Sequence, residues 1–248
     1  MFVGLSLDQA PPYKAPIKFF LTAPLFAVLA GISAFFANDF ILHDPYIIAT
    51  LHLITIGFIV MTILGALQQM LPVVAGAVIP KAKLLANITY LLLTLGLIFF
   101  VLSFMLYQKV FFFIAATLLL VGLFYFTSVA LFQLFKVQNK SYIVLGMILS
   151  LVFFILSFLV GIHLLIANAT GNITTLHYDF ALLHYNYIFF GFLFILVVAL
   201  TIQVVPMFWV TNAFEKSDQK IIIFGSTILL GFYPLTLFCQ NNTPKTPK

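Results

Sequence analysis

Long apolar stretches separated by short polar breaks run the length of the chain. Seven of them, near 17–37, 47–72, 84–106, 110–135, 142–167, 180–208 and 220–239, are about the ~20 residues that an α-helix needs to cross ~30 Å of hydrocarbon. The breaks carry Asn38-Asp39, Pro80-Lys81, Gln108-Lys109, Gln138-Asn139-Lys140, Asn168 to Thr175 and Glu215 to Lys220, turn formers and charges of the kind that collect at a membrane surface. The pattern predicts an all-α, polytopic membrane helix bundle of about seven transmembrane helices. Residues 1–16 read as a cytoplasmic N-terminal tail, 17–239 as the bundle and 240–248 as a polar C-terminal tail.

The second and sixth apolar stretches share an internal spacing. Gly57 to Gln69 and Gly191 to Gln203 are the same number of steps apart, and Pro72 and Pro206 follow each glutamine at the same distance. Two parallel helices four apart in order predict a parallel four-helix pseudo-repeat, repeat 1 over about 17–135 and a partial repeat 2 over about 142–239. Small residues at such positions permit close helix packing, and a proline near a helix end is ordinary. The histidines do not share the register. His52 precedes its glycine by five residues and His184 by seven, so Asn186 is the counterpart of His52. A shift of two residues turns a side chain by ~200° around a helix.

Composition makes lipid the solvent: 64% of residues are hydrophobic and 7% charged, more apolar surface than a water-soluble core of this size could bury. The single cysteine, Cys239, excludes an internal disulfide and a Cys-rich zinc or iron–sulfur site, leaving imidazole or oxygen to hold any metal. All 11 basic residues are lysine, and the net charge of +5 is scattered among helix-flanking loops, which speaks for topology control and against a nucleic-acid surface. With the N-terminus inside, lysines 14, 18, 81, 83, 136, 140, 216 and 220 are cytoplasmic, and 109, 245 and 248 lie outside. Met1 to Pro16 has no apolar run of its own and reads as a tail rather than a cleavable signal. The expected location is a multi-pass position in a bacterial inner membrane.

In that topology the five histidines fall toward the outer end. His52 and His184 open long apolar helices, and His163 lies near the outer end of the fifth, which runs the other way. An intramembrane ionisable group points to function by default. The bland alternatives are a bond from His52 to a hydroxyl such as Thr55, a place for His184 in an aromatic belt with Tyr185 and Tyr187, and a solvated imidazole for His163 at a helix end. His43 and His177 read as loop residues, each near an aspartate, Asp44 or Asp179. Gln69 and Gln203 read as packing polarity.

The stretch Thr50-Leu-His52 through Gly65 and Leu71-Pro72, followed by Lys81, resembles helix 2 of the haem–copper oxidase subunit I superfamily, where an outer histidine ligates the low-spin haem. Leu183-His184-Tyr185-Asn186-Tyr187, then Gly191 and Val205-Pro206, resembles the helix of that superfamily that carries a His-x-His pair. There the first histidine holds the high-spin haem and the second the low-spin one. Asn186 stands in place of the second histidine, the seventh apolar stretch has no histidine where the family places a copper-binding pair, and the family's twelve helices form three four-helix arcs. The resemblance therefore implies a truncated or half-sized relative, a non-oxidase membrane haem protein with haem b, no copper, and no oxidase turnover of its own. His52, His184 and His163 are the cofactor-binding candidates, His52 and His184 the metal ligands. Its role would be electron transfer or gas sensing. The alternatives are a small membrane transporter or channel and a structural or assembly subunit of a respiratory complex. Expected partners are membrane lipid and either other respiratory-complex subunits or a second copy of the chain; no nucleic acid is expected.

Overall fold

The computed structural model describes residues 12–37, 41 and 44–242, so the expectation for His43 lies outside the described residues. Seven long helices follow one another: α1 Lys14–Phe35, α2 Pro45–Ala75, α3 Ala82–Leu106, α4 Lys109–Lys136, α5 Tyr142–Thr170, α6 His177–Trp209 and α7 Lys216–Asn242. The first six are long and apolar enough to cross a membrane, and the chain is a multi-pass membrane protein. The seventh expected span is helical and is not among those six. Most helices overrun the predicted spans by one to four residues. α5, for example, runs through Asn168 and stops only before Gly171, at φ +73°.

The ends of α2 show how the sequence sets its limits. Asp44 accepts hydrogen bonds from the Tyr46 and Ile47 backbone N–H groups at 2.7 and 3.2 Å, and Pro45 takes the first helical position, where no donor is needed. Gly76 ends the helix in the left-handed conformation, φ +67°, donating to the Pro72 carbonyl at 3.1 Å, while Ala77 donates to Leu71 at 2.9 Å. Along the shaft, Thr50, Thr55, Thr62 and Gln68 donate to the carbonyl four residues back, so their polar hydrogens are satisfied within the helix.

Two compact units divide the chain, one of residues 1–137 and 165–172, the other of 138–164 and 173–248. In the first, α2 packs on α1 and α3 on α4. Gly57 makes the α1–α2 crossing possible: a Cβ there would lie 2.6 Å from Phe26 Cβ. Gly96 and Gly122 do the same between α3 and α4, facing Leu119 and Leu92.

The second unit repeats this construction in register. α2 is interrupted by a π-helical segment, Leu53–Val60, and α6 by another, Tyr187–Phe194, both displaced by 134 residues. Gly191, 134 residues after Gly57, faces Phe153 on α5 at 2.6 Å as Gly57 faces Phe26, so α1 and α5 correspond at a displacement of 127. Val210 ends α6 in the left-handed conformation, φ +53°, donating to Pro206, as Gly76 does to Pro72. α7 starts 134 residues after α3. A second crossing is preserved with its small residue exchanged between helices: Gly65 faces Phe19 in the first unit, whereas Gly146 faces Ala199 in the second.

Candidate functional site

The π segments organise the polar positions. A π turn widens the helix and such bulges gather at functional sites. His52 is the residue immediately before the first segment, and Asn186 holds the corresponding place before the second. The two side chains do the same thing locally. His52 Nδ1 lies 2.8 Å from the Ile48 carbonyl, and Asn186 Nδ2 donates to the Leu182 carbonyl at 2.8 Å, each four residues back. A carbonyl can only accept, so Nδ1 of His52 carries a proton. The imidazole also lies against Phe100 of α3, centroids 4.4 Å apart. Thr55, the hydroxyl considered as a partner, donates instead to Leu51 at 2.8 Å.

His184 is built differently, because its register partner is Thr50. Thr50 donates to the Tyr46 carbonyl at 2.7 Å and reaches Ala30 on α1 at 3.5 Å. His184 uses the equivalent direction across the α5–α6 hairpin, where Nδ1 lies 2.8 Å from the Ser157 carbonyl, and Ser157 Oγ donates to the His184 carbonyl at 3.2 Å. Here too the proton belongs on Nδ1. The ring lies against Gly161, where a Cβ would come within 2.8 Å of Cε1, so that glycine makes the room.

His163 is exposed on α5 and meets Phe180 edge-on at 5.0 Å. Its counterpart in the first unit is Phe36, which meets Tyr46 at 6.2 Å. His177 opens α6 with Asp179 in the same first turn. His163 and His184 thus belong to the second unit and His52 to the first. Among the described residues no group of three or more His, Cys, Asp or Glu side chains is placed to hold a metal ion. The sequence pattern does not single out Ile48 and Phe100, which hold His52, or Ser157 and Gly161, which hold His184.

No family model, curated protein or solved structure matches this chain.

The residues fit a haem in part. A metal-bound imidazole commonly donates its second ring nitrogen to a carbonyl, which fixes tautomer and ring orientation, and His52 and His184 both have that arrangement. The repeat glycines do not form a porphyrin cradle. The space beside Gly57 is filled by Phe26 and Leu97, and that beside Gly191 by Phe153. Both glycines serve helix crossing.

Proposed function

We propose that this chain is an integral membrane haem-binding protein of the haem–copper oxidase subunit I type, without a copper centre, serving electron transfer or gas sensing. The observation that supports this reading is His52, whose Nδ1 is held by the Ile48 carbonyl at the entrance to a π segment, the second-nitrogen arrangement common to metal-bound imidazoles. His184, held through Nδ1 by Ser157, is the second imidazole of the same chemistry, and the exposed His163 is the weakest of the three. Imidazole is the usual axial ligand of b-type haem, which when bound supplies one-electron or gas-ligand chemistry. The chain's own part is to hold the imidazoles in one tautomer and to keep bulk water from the helix interior, where Leu53 and Phe100 are buried beside His52. The proposed setting is a bacterial inner membrane with the N-terminus cytoplasmic, supported by the lysine distribution. A pyridine haemochrome of the detergent-purified protein from haem-replete cells tests the reading. Haem b in proportion to protein is the expected result; a colourless preparation that takes up no added haemin rejects it.

A further inference from the structure

Because the chain builds one hairpin-plus-helix arrangement twice, each unit is a control for the other. One chemical difference between their described residues lies at the end of the first unit where α1 starts, α2 ends and α3 starts. There Lys18 of α1 donates to Asn87 Oδ1 of α3, with its ammonium 5.2 Å from the Tyr90 ring centroid and 5.8 Å from that of Phe19. One turn along α1, Thr22 Oγ1 and Tyr90 OH share a hydrogen bond of 2.8 Å. In the second unit the matching residues are Leu145, Leu149, Ile221 and Phe224, all apolar. The fold therefore does not require the polar set.

We propose that Lys18, Asn87 and the Thr22–Tyr90 pair form a binding site for a phosphate group, carried by an anionic membrane lipid or free in solution. The unused hydrogen-bonding capacity of the set consists mainly of donors. Lys18 has two further ammonium hydrogens, and Asn87, whose Oδ1 is taken, presents its NH₂. Of the two hydroxyls that bond each other, one proton always remains to donate outward. Among the described residues of this unit the only acid is Asp44, which caps the opposite end of α2. Lys14, Lys81 and Lys83 stand at the same end, and basic clusters between helices on the lysine-rich side of a membrane protein recognise anionic headgroups. Asn87 is exposed and Lys18 partly so, which leaves the set open to such a group. The proposal is independent of haem.

The test uses the full chain in detergent micelles doped with equal amounts of phosphatidylglycerol and phosphatidylcholine, read by native mass spectrometry. A retained phosphatidylglycerol is expected, with retention roughly tenfold weaker in Lys18→Leu and in Asn87→Ile, the loss of one charge-assisted contact. Lys18→Arg should retain the lipid, and Lys109→Leu, at the other end of the helices, should change nothing. These two apolar substitutions are the second unit's own residues at those positions, and Tyr90→Phe carries the test if either fails to fold. A parallel arm titrates inorganic phosphate without anionic lipid and follows thermal unfolding. A rise in Tm that Lys18→Leu abolishes assigns the group to a free anion, whereas lipid retention without that rise assigns it to a headgroup. Equal retention of both lipids with no phosphate effect overturns the proposal, as do effects that persist in folded Lys18→Leu.

Discussion

Gly146 and Ala199 offer the sharpest test of how the repeated crossing works. A Cβ added at Gly146 would sit 2.7 Å from Ala199 Cβ and 2.9 Å from Ile223 Cδ1. Apolar carbons prefer about 3.5–4.0 Å. The shortfall at Ala199 is therefore about 1 Å between atoms rigidly tied to two backbones, while Ile223 Cδ1, the end of a flexible side chain, can turn away. Gly146→Ala should destabilise by about 1–3 kcal/mol, the usual cost of overpacking a tight contact. Ala199→Gly alone should cost about 1 kcal/mol through helix propensity. The double variant restores one small residue at the crossing and cancels the propensity terms, so it should fall within about 1 kcal/mol of wild type. It also reproduces the first unit's choice, where the small residue, Gly65, is on the second helix of the pair. Reversible unfolding in mixed micelles, followed by circular dichroism, gives the four stabilities of this cycle. Wild-type stability of Gly146→Ala, or a double variant as unstable as the sum of the singles, would refute the packing argument.

Val210, 90% exposed, occupies a left-handed position that costs a β-branched residue about 1–2 kcal/mol, so Val210→Gly should raise thermal stability and Gly76→Val lower it by a similar amount. Equal and unchanged melting temperatures would mean the helix ends contribute nothing. Gln68 Oε1 and Thr89 Oγ1 are buried with no hydrogen-bond partner among the described residues, and the second unit has buried Ile202 and Ile223 at these positions. Gln68→Ile and Thr89→Val should each stabilise by about 1 kcal/mol in the same unfolding assay, and a loss of stability would show that these oxygens are used. Gly161→Ala should displace the His184 ring from the Ser157 carbonyl and cost about 1–3 kcal/mol, yet cost little in a His184→Ala background; an equal cost in both would detach Gly161 from the imidazole.

The helices and the repeat were legible because both rest on long-range periodicity: apolar runs of bilayer length, and a glycine-to-proline spacing that survives in two places. The identification of Asn186 as the counterpart of His52 also followed from counting, and both side chains bond the carbonyl four residues back. The π segments were not legible, since a widened turn leaves the same apolar composition as the α-helix around it. Counting also singled out Gln69, whereas its neighbour Gln68 is the fully buried one, because facing inward depends on a helix's rotation against its partners and not on the repeat spacing. His163 was grouped with His52 and His184 by depth alone, and its ring lies exposed against Phe180. The Lys18, Thr22, Asn87 and Tyr90 set passed unnoticed because each residue is ordinary at a membrane surface. Comparing the two halves position by position, where all four become apolar, was the signal that could have found it.

The measurement closest to the central claim is the dithionite-reduced minus oxidised spectrum of purified wild type beside that of His52→Ala. His52 is held by the Ile48 carbonyl of its own helix and lies against Phe100 of α3, so the comparison is read on His52→Ala that circular dichroism shows to be folded, from which the proposed ligand is gone. The proposal predicts a b-type alpha band in wild type that is absent from folded His52→Ala. A band of equal position and intensity in both proteins, or in neither, would contradict it.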